Sequence, residues 1–162
     1  MMHARRSTRL VLAALVILFA ACGGRMPGDV GGSALAPCPS TPNCVSSLEP
    51  AGSSHHVAAF ELAVPASEAW PVAVDAMRGW PRTEIARSGD AALHAVARSA
   101  LFRFADDVEL RLDAAAGRID VRSASRLGRS DLGVNRRRVE KLRAELAERG
   151  VVVPRADEAP RD

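Results

Sequence analysis

The sequence predicts an α+β fold in which an antiparallel sheet of about five strands carries two helices on one face. Two segments with helical spacing of apolar residues flank four short strand-like segments, and one further strand-like segment comes first. The predicted order is therefore β-α-β-β-β-β-α. The connections between these segments are short, which favours antiparallel pairing of the strands with both helices packed on the same face of the sheet.

The first strand is expected at residues 56–64, where a loose alternation of apolar residues ends at Pro65. A helix is expected to follow in PASEAWPVAVDAMRGW, with Ser67 as its candidate N-cap. Its apolar face consists of Trp70, Ala73, Val74 and Met77. Gly79 and Pro81 end this helix.

Four strands are expected at residues 82–87, 91–99, 102–112 and 118–125, separated by turn-like segments. The closing helix is expected over residues 134–149, with Asp131 or Ser130 as its N-cap and Gly150 as its C-terminal signal. Val139, Leu142 and Leu146 form its buried stripe.

The third and fourth of these strands should form a hairpin whose register is set by charge. One register that aligns both apolar faces places Glu109 opposite Asp120 and Arg111 opposite Arg118. The other places Glu109 opposite Arg122 and Arg111 opposite Asp120, and cross-strand attraction favours it by about 1 kcal/mol. In the favoured register Asp106 faces Ser125 and Val108 faces Ser123.

Strand alternation places Asp106 on the same face as Phe102, Phe104 and three aliphatic residues. The opposite face, with Arg103, Asp107, Glu109 and Arg111, is expected to be solvated. A buried ionised carboxylate needs a partner, and the candidates are Ser125, Asn135 and an arginine, Arg126 or Arg136. The predicted polar cluster consists of Asp106, Ser123, Ser125, Arg126, Asp131 and Asn135.

The N-terminal segment predicts export. Residues 1–21 have the basic start and the 11-residue apolar run of a signal peptide, too short for a permanent span. The run ends in FAAC, which resembles a bacterial lipobox and makes Cys22 the expected lipidation site; the alternative is an ordinary secretory signal. The glycine after Cys22 favours the outer membrane over the inner one, with the protein facing the periplasm.

Beyond the signal peptide, residues 22–34 are expected to be a flexible tether, residues 35–150 a single domain, and residues 151–162 a disordered tail. The formal charge of +3 equals the contribution of Arg5, Arg6 and Arg9, which leaves 19 basic and 19 acidic residues from Cys22 onward. A neutral exported chain gives no support for a nucleic-acid partner.

Cys38 and Cys44 are expected to form a small disulfide loop in an oxidising compartment. Two unpaired thiols, or a metal site with His55 and His56, are the alternatives left open. No cofactor and no metal site are predicted.

Several motifs together resemble the bacterial and plastid family known as domain of unknown function 1499 (DUF1499). They are PCPSTPNCVSS at residues 37–47, LFRFADDVELRL, IDVRSASRLGRSDLGVNRRRVEKL and the Ala69-Trp70 pair. The resemblance covers roughly residues 35–146. It implies a family identity and no activity.

The favoured function is therefore a lipid-anchored envelope protein that acts as a non-catalytic structural or protein-interaction module. One alternative is a periplasmic module that binds lipid or a small hydrophobic ligand, since VPASEAW resembles the start of the helix-grip lipid-binding superfamily. The other is a hydrolase-like enzyme with Asp106 as its base. The sequence shows no phosphate loop or nucleophile elbow that would favour an enzyme.

Overall fold

The computed structural model describes residues 35–155 and confirms the α+β class. The strands are β1 (Cys44–Ser46), β2 (Phe60–Glu61), β3 (Thr83–Ser88), β4 (Ala92–Arg98), β5 (Ala105–Asp113) and β6 (Arg118–Ser125), and the helices are α1 (Ala66–Gly79) and α2 (Val134–Glu148). The predicted signal peptide, Cys22, the tether and residues 156–162 of the tail lie outside the described residues.

All six strands pair antiparallel in the order β1-β6-β5-β4-β3, and β2 pairs with the beginning of β6. Leu93, Leu110 and Val121 lie opposite one another across β4, β5 and β6, and all three are buried. The apolar stripes of both helices belong to the same core cluster as these side chains. Both helices therefore cover one face of the sheet, as predicted.

The β5–β6 hairpin has the predicted register. Glu109 lies opposite Arg122, Arg111 opposite Asp120, and Asp106 opposite Ser125. The Arg122 guanidinium donates to Glu109 Oε2 over 2.9 Å, which is the attraction on which the prediction depended.

The predicted start of β5 is wrong. The strand begins at Ala105 rather than at residue 102, and Phe102 and Phe104 are 69% and 51% exposed. Arg103, between them, has a left-handed φ of 54°, which breaks the strand alternation that the prediction assumed. The opposite face of β5 is also not solvated as expected, because Asp107 and Glu109 are buried.

The segment before α1 also differs from the prediction. β1 lies in a region expected to have no regular structure, and only Phe60–Glu61 of the predicted strand 56–64 is a strand. The buried Arg143 guanidinium accounts for the second difference, since it donates to the carbonyls of Ala58 and Ala59. These carbonyls bond to a side chain instead of a neighbouring strand.

The predicted N-caps are wrong for both helices. Pro65 precedes α1 without a side-chain cap, so Ser67 does not cap it. Gly133, in the left-handed conformation that glycine favours, precedes α2 in place of Asp131 or Ser130.

The end of α2 agrees with the prediction at Gly150. Gly150 has a φ of 75°, and the N–H groups of Gly150 and Val151 donate to the carbonyls of Ala147 and Leu146. Val151 and Val152 are buried, and Val152 pairs with Leu62. The packed domain therefore continues past residue 150, which was its predicted end.

Cys38 and Cys44 form a disulfide, which decides among the alternatives left open by their spacing. Such bonds are typical of proteins in oxidising compartments. Among residues 35–155, no helix is both long enough and apolar enough to cross a bilayer.

The disulfide closes a short loop, since only six positions separate the two cysteines. Replacing both by alanine should lower the free energy of unfolding by about 2 kcal/mol, because a small loop restricts the unfolded chain only modestly. Urea denaturation should still show one cooperative transition, and reduction of the unmodified protein should give the same loss. Complete unfolding on reduction would contradict this expectation.

Candidate functional site

A fully buried amide, that of Asn135, lies at the centre of the predicted polar cluster. Asn135 is in the first turn of α2, and its Nδ2 lies within hydrogen-bond distance of three acceptors. These are the Asn43 carbonyl at 3.0 Å, Ser125 Oγ at 2.9 Å and Asp131 Oδ2 at 2.8 Å. The amide thus joins the segment before β1, the end of β6 and the loop before α2.

The oxygen of the same amide connects the cluster to β5. Asn135 Oδ1 accepts hydrogen bonds from Ser123 Oγ and from Arg138 Nη1, each over 2.6 Å. Arg138 also donates through Nη2 to Asp106 Oδ2 over 2.5 Å. Asp106 and Arg138 are both largely buried, so each charge has the partner that burial requires.

Asp131 closes the cluster at the beginning of α2. Its carboxylate accepts from the backbone N–H groups of Gly133 and Asn135, which otherwise have no partner within the helix. Burial alone would raise the pKa of Asp131, but these hydrogen bonds outweigh it and the pKa lies below its ordinary value. Asp131 therefore does the work of an N-cap from two positions further back.

The structure brings together five of the six predicted residues: Asp106, Ser123, Ser125, Asp131 and Asn135. Arg126 is not among them, and neither Arg126 nor Arg136 is the partner of Asp106. Arg126 bonds to Asp107 on the opposite face of the sheet, and Arg136 donates to the carbonyls of Ser54 and His56. The partner of Asp106 is Arg138. Neither Arg138 nor Asn43 was among the predicted residues of the cluster.

A second ionic group lies on the opposite face of the sheet. His94 Nε2 lies 2.7 Å from Asp107 Oδ1, and the Arg126 guanidinium bonds to both oxygens of Asp107. Burial alone would raise the pKa of Asp107, but the hydrogen bonds from His94 and Arg126 outweigh it, and the pKa lies below 3.8. The contacts of His94 and Arg126 with Asp107, like the contact of Arg122 with Glu109, explain how carboxylates that were expected in solvent are buried.

Beside the first cluster lies a pocket of about 190 Å³. Phe104, Leu127 and Val134 supply apolar walls, and Asp106 and Asp131 belong to the same lining. The pocket is formed where the β4–β5 loop meets the β6–α2 loop. The two loops are held together because the Arg126 N–H donates to the Ala105 carbonyl.

These two loops carry most of the exposed apolar side chains of the domain. Five of the eight such side chains among the described residues lie there, and a sixth, Val134, begins α2 directly after the second loop. Together they are named here the apolar tip: Leu101, Phe102, Phe104, Leu127, Leu132 and Val134. The rings of Phe102 and Phe104 stack with their centroids 5.5 Å apart. Exposed apolar residues that are scattered singly need no explanation, whereas a concentration of them marks a contact surface.

Backbone strain is concentrated at the same end. Arg82, Arg103 and Leu132 are the three residues other than glycine with positive φ in the described part of the chain. Two are in the tip loops, and Arg82 precedes β3, where the sheet ends near the tip. Left-handed conformations of such residues are costly and are concentrated at functional sites.

The hydrogen bonds of the Asn135 cluster are made to groups of the protein itself. The three histidines in residues 35–155 bond to the Cys44 carbonyl, the Glu49 carbonyl and Asp107, away from the pocket. Within this range, no three side chains of the metal-binding types come together.

Comparison with known proteins identifies the family. The sequence model of the family described as "Protein of unknown function (DUF1499)" matches residues 34–146, and the chain belongs to this family. No curated protein and no solved structure shows a significant similarity to it.

Replacing Asn135 by alanine should lower the free energy of unfolding by about 2–4 kcal/mol, because it leaves the buried Asn43 carbonyl, Ser123 and Arg138 short of partners. Urea denaturation measures this loss. The exposed Arg129→Ala variant is the control and should stay within about 0.5 kcal/mol of the unmodified protein. A loss equally small for Asn135→Ala would show that the cluster does not stabilise the fold.

The Asp107→Asn variant should show a stability difference that depends on pH. Because the pKa of Asp107 in the folded protein lies below its ordinary 3.8, the ionised carboxylate stabilises the fold above that value. This stabilisation disappears as the pH falls from 3.8 through the lower folded pKa. The difference in free energy of unfolding from the unmodified protein should therefore be largest near neutral pH and shrink at about pH 3.

Urea denaturation at both pH values measures the difference. Asp90→Asn, in the exposed turn between β3 and β4, is the control and should change stability little at either pH. A difference for Asp107→Asn that stays constant with pH would contradict the role given to this carboxylate.

Proposed function

We propose that this DUF1499 member is an exported, lipid-anchored envelope protein that acts as a non-catalytic binding module through its apolar tip. The concentration of six exposed apolar side chains in two adjoining loops and at the first residue of α2 carries the proposal. Monomeric proteins seldom expose such a group unless it contacts a partner, a membrane or a ligand. The strained backbone at the same loops supports a role for this end of the domain.

Export and anchoring are supported by two independent features. The basic start and short apolar run of residues 1–21, followed by the lipobox-like FAAC, are typical of a bacterial lipoprotein with Cys22 as its first mature residue. The Cys38–Cys44 disulfide is typical of the oxidising compartment to which such a protein would be delivered.

A catalytic role for Asp106 has less support than a structural one. Its carboxylate bonds to a largely buried guanidinium that is itself fixed by Asn135 and Ser123. A general base needs a lone pair within reach of a substrate proton, and a nucleophile needs a base beside it. The hydrogen bonds of the cluster instead favour a structural role, in which they fix the strand ends and α2 relative to each other beneath the tip.

Photocrosslinking tests the binding surface. With p-benzoyl-phenylalanine in place of Phe102, irradiation of intact cells should give covalent adducts, because the tip is in contact with another component of the envelope. The control places the same residue at Leu48, which is exposed but lies beyond β1, away from the tip. Adducts at neither position, or equally at both, would contradict the tip as the contact surface.

The anchor is tested separately on the same protein. Mass spectrometry of the mature N-terminal peptide should find acyl chains on Cys22, and an N-terminus without them would contradict lipidation alone.

A further inference from the structure

A second pocket, of about 250 Å³, lies beside the apolar tip and is strongly cationic. It is formed by the connection from α1 to β3, the end of β4 and the first two turns of α2. Five of its lining residues are cationic, and none is acidic: Arg82, Arg98, Arg137, Arg138 and Lys141. We refer to it as the basic pocket.

Four of these five cations form no ion pair within residues 35–155. Arg138 is paired with Asp106, but no acidic side chain of the described chain pairs with Arg82, Arg98, Arg137 or Lys141. Arg82 and Arg137 donate to the backbone carbonyls of Arg98 and Leu132, and the Lys141 ammonium lies 5.3 Å from the centre of the Trp80 ring. Like charges placed this close repel one another, and an anion among them would relieve the repulsion.

The basic pocket and the pocket of the apolar tip adjoin. Val134 belongs to the lining of both, with Arg137 and Lys141 on one side and Phe104 and Leu127 on the other. A ligand that occupied both would have an anionic group and an apolar part next to each other. This is the chemistry of an anionic amphiphile.

The surroundings of both pockets favour a membrane as the source of that amphiphile. Residues 98–104 and 126–138 contain seven arginines and one acid, Asp131, although the chain from Cys22 onward is neutral. Arg126 and Arg138 are paired with Asp107 and Asp106, and the other five arginines form no ion pair in the described chain. Apolar side chains among basic ones are typical of surfaces that bind anionic lipid bilayers.

We propose that the basic pocket binds the phosphate of an anionic phospholipid while the apolar tip enters the acyl-chain boundary of the same membrane. The inference rests on the proposed function, because it names the ligand of the tip. Arg82, Arg98, Arg137 and Lys141 surround the phosphate, and Phe104, Leu127 and Val134 contact the beginning of the acyl chains.

The test is a titration of the purified chain with dihexanoyl-phosphatidylglycerol below its micellar concentration. Calorimetry gives the affinity, and the tryptophan emission, which comes from Trp70 and from Trp80 in the lining of the basic pocket, should change on binding. Dihexanoyl-phosphatidylcholine and inorganic phosphate are the comparison ligands. We expect the anionic lipid to bind at least about tenfold more tightly than either, because it alone offers both a net negative charge and acyl chains.

The variant Arg98→Gln/Lys141→Gln should weaken binding of the anionic lipid by roughly tenfold or more, since two cations are lost from the pocket. The charge-matched control is Arg87→Gln/Arg149→Gln, whose residues lie in β3 and at the far end of α2. This control should stay within about twofold of the unmodified chain, because neither residue lines the basic pocket and charges outside it are more strongly screened. An equal loss in both variants would show that only overall charge matters and would overturn the site.

The other outcomes also decide the question. Equal affinity for the two lipids would overturn the assignment of an anionic lipid. Equal affinity for phosphate and the anionic lipid would overturn it in favour of a free anion. An absence of binding would overturn the inference, and tip adducts carrying only protein would then assign the surface to a protein partner. Because the titration is done in solution, its result can be interpreted even if lipidation at Cys22 or crosslinking at position 102 is not found.

Discussion

The buried amide of Asn135 is the interaction on which the arrangement of this domain depends. Its nitrogen and oxygen together need several partners, and none of the needed groups is available from α2 alone except Arg138. One partner, the Asn43 carbonyl, is 92 positions away along the chain. A buried amide that lacks partners is costly, so the segment before β1, the end of β6 and the start of α2 stabilise one another only when all three are assembled.

The same amide explains how an exposed and strained surface can be maintained. Asp106 and Ser125 lie at the roots of the two tip loops and are fixed through Arg138 and Asn135. Beyond these roots, Arg103 and Leu132 adopt left-handed conformations, and the apolar side chains face outward. A local structure of this kind persists only where its surroundings hold it, and here the hydrogen bonds beneath the loops do so.

The β5–β6 register could be predicted because it depends on charge pairs within one hairpin, such as Glu109 with Arg122. The error at Phe102 arose because alternation was extended through Arg103, whose left-handed φ carries no sequence signal as glycine would. β1 could not be predicted, since three residues pair with a strand more than seventy positions later. Strand alternation could have excluded Arg126 from the cluster, because Arg126 follows Ser125 and therefore points to the other face of the sheet. Arg138 could also have been predicted as a member of the cluster, since it lies three positions after Asn135 on the same side of the helix.

The arginines of the tip end fall into two groups that call for different explanations. Arg126, Arg136 and Arg138 each bond to a carboxylate or to backbone carbonyls that the fold needs to satisfy, so folding alone accounts for them. Arg98 and Lys141 line one pocket without an ion pair in the described chain, although Lys141 lies over the Trp80 ring, and their charges add to those of Arg82 and Arg137. Clustered cations of this kind lower stability through repulsion, and the chain from Cys22 onward, with 19 acids and 19 basic residues, has enough acids to have balanced them. An anion bound from outside, as proposed for the basic pocket, would offset this repulsion, and the apolar residues beside the pocket would favour an amphiphile as the carrier of that anion.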